Sequence, residues 1–145
     1  VAAMLIAFLA FIAMVDAALG FVRPGLTLAN IFSVAFAPVA VLLGVARPDV
    51  GAIADLLGTK LVANEFVSFV KLTSTYKGVV SDRSYVLATY ALTGFANLGS
   101  IGIQLGGIGA MAPSRRADLA RLGTRALLGG FVATLINAAI ASILI

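Results

Sequence analysis

Residues 50–72 read VGAIADLLGTKLVANEFVSFVKL, with Asp55, Lys60, Asn64 and Glu65 set in an apolar background beside Gly51 and Gly58. A single straight membrane span would place Lys60 and Glu65 near mid-bilayer, where each costs about 2.5–3.5 kcal/mol on insertion scales. Charges and irregular backbone persist at that depth only where they face protein or water. A re-entrant hairpin with its tip near residues 58–64 resolves the conflict, because it carries polar side chains and free backbone groups into a central cavity. This reading presupposes a bilayer, and the remainder of the chain supplies the reason for one.

Of 145 residues, 61% are hydrophobic and 11% are charged, with a mean hydropathy of +1.12. A soluble domain covers its wetted surface with about 25% charged residues. Ten Lys and Arg with six Asp and Glu cannot cover a chain of this size, so the apolar surplus requires an apolar solvent. The net charge of +4 does not indicate nucleic acid, because the basic residues are dispersed between apolar runs. Their one tight cluster, Arg115, Arg116, Arg121 and Arg125, flanks such a run, as cytoplasmic Lys and Arg do beside membrane spans. Cysteine and histidine are absent, which excludes disulfides, thiolate or imidazole metal sites, and Cys or His catalysis.

Working outward, residues 1–22 are continuous apolar sequence broken by Asp16. A helix of this length reaches about 33 Å, enough to span the hydrocarbon core. Asp16 reads as an interfacial carboxylate near the helix end. The chain begins at Val1 inside this run without a basic signal-peptide region, so it is expected to be a fragment of a longer protein. Residues 26–46, interrupted by Asn30, Ser33 and Pro38, predict a helix lying at the membrane surface or entering it at a shallow angle. Residues 73–84 form a polar loop in which Ser81 or Asp82 can cap the next helix. Residues 85–111 are a second long apolar segment, followed by a basic loop at 114–116 and a final span over 117–145. The expected fold is an all-α integral membrane protein: transmembrane helices, a re-entrant helical hairpin and an interfacial helix. No repeat lies within these residues, so an inverted repeat could exist only against a missing half, which would make the chain half of an inverted-repeat transporter.

Within 85–111, Thr89, Thr93, Asn97, Ser100 and Gln104 recur at spacings of 4, 4, 3 and 4. Read as one continuous helix, they form a single polar face, which inside a membrane must meet a partner or a water-filled path. Six glycines between Gly94 and Gly109 permit close packing or local unwinding that frees backbone groups for a ligand. The competing structural roles are a stripe that only joins helices, at about 0.6 kcal/mol per hydrogen bond, and an ion pair of Glu65 with Lys60. A carboxylate, an amide and a hydroxyl converging in an apolar cavity suit a neutral polyhydroxylated ligand, with Phe95 or Phe66 packing on a flat ring. Gly-Thr-Lys at 58–60 has the wrong order for a phosphate loop, and the glycines of 99–109 follow no soluble strand. No enzyme activity is expected. From residues alone, the reading reaches a transporter of a polar neutral organic solute.

Two segments carry a resemblance. Gly58-Thr59-Lys60-Leu61-Val62-Ala63-Asn64-Glu65-Phe66-Val67-Ser68-Phe69 resembles the concentrative nucleoside transporter signature G-x-K-x-x-x-N-E-F-V-A-[YMF], departing from it in Ser68 for Ala. Residues 94–103, GFANLGSIGI, resemble the GFAN-x-x-S segment of the same family and run on into Gly106-Gly107 and Met111-Ala112-Pro113. The similarity extends over essentially the whole chain. It implies that Glu65 in the second re-entrant hairpin, and Asn97 and Ser100 in a partly unwound transmembrane helix, contact the nucleoside ribose. Phe95 would line the same pocket, with Asn64 and Lys60 in supporting roles. It further implies cation-coupled symport of nucleosides, an elevator-like transport domain and a homotrimer in the cell membrane. No covalently bound cofactor is implied, and the coupling Na+ or H+ would bind outside this chain. The remaining partners are membrane lipid and the nucleoside, not nucleic acid. Another neutral polar solute, or a non-transporting scaffold module, is the alternative. Arg115 and Arg116 place the loop before the last span in the cytoplasm and the C-terminus outside, against a modest opposing bias from Lys71, Lys77 and Arg83.

Overall fold

A computed structural model describes residues 2–145, and the side chains of all of these except residues 2, 4 and 5. Val1, the first residue of the expected span 1–22, lies outside the described residues. Helix α1 covers Ala2–Val22 and stops before Arg23-Pro24-Gly25, where Gly25 takes a positive φ of 81°. Helix α2, Leu28–Leu42, starts from a capping box in which Thr27 and Asn30 satisfy each other's backbone N–H groups. Asp16 of α1 accepts the Leu28 N–H at 2.7 Å. The lone carboxylate of α1 therefore supplies a second cap for α2 and fixes the corner between the two helices.

A short 3-10 turn at Arg47–Asp49 leads into α3, Val50–Val62. Helix α3 packs along α2 so closely that a β-carbon at Gly58 would lie 2.6 Å from the Ala29 carbonyl oxygen and 2.9 Å from the Ser33 nitrogen. The chain then reverses at Ala63 and Asn64, and α4 covers Glu65–Lys71. A five-residue π-helical turn, Leu72–Tyr76, extends α4. The two arms are tied together along their length. Ser68 donates to the Leu56 carbonyl at 3.1 Å, and Asp55 holds both Lys71 at 2.6 Å and the Tyr76 hydroxyl at 2.7 Å. These links make the segment an antiparallel helical hairpin.

Ser81 caps α5, Asp82–Leu92, by accepting the Ser84 N–H. Asp49 accepts both the Ser81 hydroxyl at 2.7 Å and its N–H at 3.2 Å, which fastens the start of the hairpin to the start of α5. Helix α6 covers Leu98–Met111, and after a turn at Pro113–Arg115 the long α7 runs over Arg116–Leu144. The core lies where α3, α5 and α7 meet, around Leu56, Leu57, Leu87, Leu92, Phe131 and Ala138. Phe36 of α2 stacks on Phe131 at 5.1 Å. Arg83 closes the far end by donating to the carbonyls of Gly44 and Ser142.

Within 85–111, α5 ends at Leu92, and 93–97 is irregular before α6 begins. The polar residues of this segment therefore do not share one continuous helical face. Gly94, at a φ of 83°, takes a conformation that side-chain-bearing residues rarely adopt. Asn97 then restarts the helix as a strong N-cap. Thr89 and Thr93 return their hydroxyls to the Val86 and Tyr90 carbonyls of α5, and Gln104 is exposed on α6.

Candidate functional site

The reversal at 63–64 and the break at 93–97 meet. Asn64 caps α4 by accepting the Val67 N–H at 2.8 Å, and this sets the direction in which Glu65, the first residue of α4, leaves the hairpin tip. Across from it, Asn97 caps α6 through its carbonyl oxygen, which accepts the Ser100 N–H at 2.9 Å. Its amide nitrogen donates to Glu65 Oε2 at 3.2 Å. Asn97 is 1% exposed and Ser100 is 4% exposed, whereas Glu65 is half-buried. The Ser100 hydroxyl donates to the Phe95 carbonyl at 2.8 Å and accepts weakly from the Asn97 N–H. The structure thus brings Glu65, Asn97 and Ser100 together. The Phe95 backbone joins them, while its ring is 60% exposed. Phe66, the other aromatic considered, is exposed too.

Lys60 does not form an ion pair with Glu65. Its side chain is fully buried, and Nζ donates to the Ala91 carbonyl at 2.9 Å, the Thr93 carbonyl at 2.8 Å and the Thr134 hydroxyl at 2.9 Å. The ring of Phe131 lies 5.0 Å away. Sequence reasoning missed Thr134 and Phe131, because nothing local in α7 marks them as partners of a residue so far back in the chain, 74 positions before Thr134. On the other side of the break, a cavity of about 250 Å³ opens between α6 and α7, lined by Phe95, Ser100, Gln104, Gly123 and Leu127 among others.

The chemistry this arrangement supports is recognition by hydrogen bonds. Glu65 offers an acceptor beside a fixed amide, at a place where two irregular backbone segments face each other, and no nucleophile–base pair is assembled there. A helical hairpin packed against a broken helix, with a carboxylate and an amide across the gap, defines a class of site that recognises a polar group by hydrogen bonds.

Comparison with known proteins makes that class specific. Residues 1–142 match the family described as Na+ dependent nucleoside transporter C-terminus, and the chain belongs to this family. It is 44% identical to the uncharacterized transporter YutK of Bacillus subtilis, over all of this chain and 37% of that protein. To sodium/nucleoside cotransporter 1 of Mus musculus it is 42% identical, over 99% of this chain and 25% of that protein. The chain therefore spans between a quarter and somewhat over a third of these relatives. Among solved structures, a variant of CNTnw in an intermediate state superposes with a TM-score of 0.89 at 40% identity, covering 99% of this chain and 37% of the other. CNTnw in an inward-facing substrate-bound state gives 0.80 at 41% identity, over 97% and 35%.

Proposed function

We propose that the full-length protein is a cation-coupled symporter of nucleosides in the cell membrane, and that this chain supplies the ribose-facing side of its binding site. The carrying observation is the 3.2 Å hydrogen bond from Asn97 to Glu65, which joins the hairpin tip to the helix break. Glu65 accepts hydrogen bonds from vicinal ribose hydroxyls, the Asn97 amide and Ser100 complete the polar wall, and the exposed Phe95 ring packs on the flat part of the substrate. A neutral polyol fits this set, while an anion is repelled by the carboxylate.

Several features support the reading. Pro113–Leu144 is long and apolar enough to cross a membrane, and large apolar side chains such as Met14, Phe21, Leu128 and Ile143 are exposed on α1 and α7. An apolar surface of this extent needs lipid or protein against it. Hairpin α3–α4 then serves as the re-entrant element, α2 lies at the interface, and Arg115 and Arg116 face the cytoplasm with the C-terminus outside. One of the named relatives is a sodium/nucleoside cotransporter, which favours Na+ as the coupling ion. The solved relative superposes with TM-scores from 0.76 to 0.89 across its states at nearly constant identity, which supports relative movement of segments during alternating access. The proposed assembly is a homotrimer.

Uridine uptake by the full-length protein in proteoliposomes tests this, with and without an inward Na+ gradient, comparing wild type with Glu65→Ala. Gradient-driven accumulation that is lost in the variant is the expected result. No accumulation by folded, inserted wild-type protein under a Na+ or H+ gradient would overturn nucleoside symport and point to another neutral solute or to a scaffold role.

A further inference from the structure

We propose that Lys60 is a positioning residue whose ammonium acts as a tethered cation, filling a site made by the Ala91 and Thr93 carbonyls and the Thr134 hydroxyl, and so holding the helix break where Asn97 reaches Glu65. This rests on the transport reading for its consequence, though not for its geometry.

The site is built for a positive charge. Its three oxygens lie 2.8–2.9 Å from Nζ, and the face of Phe131 closes a fourth side. Two of the oxygens are carbonyls at the C-terminal end of α5, where the helix stops at Leu92 and the last carbonyls lack intrahelical partners. That end also carries the negative pole of the helix dipole. No carboxylate pairs with the ammonium. Carbonyl dipoles, a hydroxyl and an aromatic face do the balancing, a donor set that also suits a small cation from solution. Here the cation is covalently attached to α3, five residues before Glu65, and it cannot leave. Gly94 follows immediately after the Thr93 carbonyl, and Asn97 lies three residues further on. The position of the ammonium therefore sets the path of the break, while Glu65 is delivered from the same hairpin. Removal of the charge releases the Ala91 and Thr93 carbonyls and allows Asn97 to drift from the carboxylate, unless a free cation takes the vacated place.

The test uses the full-length protein. Lys60→Met keeps the apolar stem but ends one heavy atom short, vacating the ammonium position alone, and Thr134→Val keeps the shape and loses one acceptor. In Na+-driven uridine uptake, Lys60→Met is expected to raise KM about tenfold with a smaller fall in maximal rate, the pattern of lost binding geometry. Ammonium on both sides of the membrane, which fills that single position, restores at least half of the loss in Lys60→Met and does nothing for wild type. Thr134→Val shifts KM in the same direction by about threefold. In detergent, ammonium raises the melting temperature of Lys60→Met and leaves wild type unmoved. A folded Lys60→Met with unchanged KM, or one indifferent to ammonium in both assays, overturns the proposal. Should Lys60→Met fail to fold, an unchanged KM in Thr134→Val overturns it. Absence of uptake by wild type brings down the transport reading instead, and the ammonium-dependent melting shift then decides the cation site alone.

Discussion

Asn97 bridges the two irregular segments with a single side chain, its carbonyl oxygen on the Ser100 N–H at 2.9 Å and its amide nitrogen on Glu65 Oε2 at 3.2 Å. Because the cap fixes the oxygen, the amide cannot turn over without losing one bond or both. The donor therefore always faces the carboxylate.

Capping and recognition by Asn97 can be separated. Asn97→Asp keeps an oxygen for the cap and sets a second carboxylate against Glu65. Uridine uptake near neutral pH should fall at least about tenfold from like-charge repulsion, and because Asn97 is 1% exposed the melting temperature should fall too, recovering as acidification neutralises the pair. Asn97→Ala loses both bonds, and stability should also drop by about 1 kcal/mol for the missing cap. Uptake and thermal melting measured on the same preparations distinguish the two effects.

Gly94 carries two separate demands. A β-carbon there would run into the Thr134 methyl group, and the φ of 83° disfavours any side chain. Gly94→Ala should destabilise by about 1–3 kcal/mol from the backbone, with a further loss from the collision. Adding Thr134→Ser removes the methyl and keeps the hydroxyl that Lys60 needs, so the double variant should melt higher than Gly94→Ala yet below wild type.

Gly58 offers no such relief, because its neighbours are main-chain atoms of Ala29 and Ser33. Gly58→Ala must push α3 away from α2, at about 1–3 kcal/mol for overpacking. A lowered melting temperature that no side-chain change in α2 rescues is the expected result.

Asp49 sets an acid limit. The Ser81 hydroxyl, then Ser84, hold its carboxyl below the ordinary aspartate range. A depressed folded-state value stabilises the protein at pH above the unfolded value of about 3.9, and this contribution is lost as pH falls through the folded value. Wild type should therefore lose melting temperature on acidification below about pH 4 more steeply than Asp49→Asn.

How much of this was legible in the residues depends on range. The reversal at Ala63 and Asn64 was legible because Lys60 and Glu65 cannot both lie in a straight span, and that conflict is local. The helical class was legible because apolar runs such as 1–22 and 117–145 have the length of membrane-spanning helices. Unwinding within 85–111 was legible from its glycines, but its place at 93–97 was not, because spacings of 4, 4, 3 and 4 stay in phase with a helix whether or not the backbone is interrupted. The better signal was Asn97-x-x-Ser100 after a Gly, which satisfies a capping box and marks a fresh helix start. The partners of Lys60 were not legible at all. They are two main-chain carbonyls and a hydroxyl, 31, 33 and 74 residues away, and carbonyls leave no mark in a sequence.

The three-way anchorage of Lys60 also bears on the order in which the chain assembles. An ammonium entering an apolar interior before its acceptors have gathered would be an uncompensated charge, costing several kcal/mol. Those acceptors are supplied by the end of α5, the break and the middle of α7. Helix α3 can therefore settle only after the later helices have converged, so its docking must wait until α7 has been made. Nascent chains stalled before α7 should then keep the hairpin open to proteolysis, and chains that include α7 should protect it.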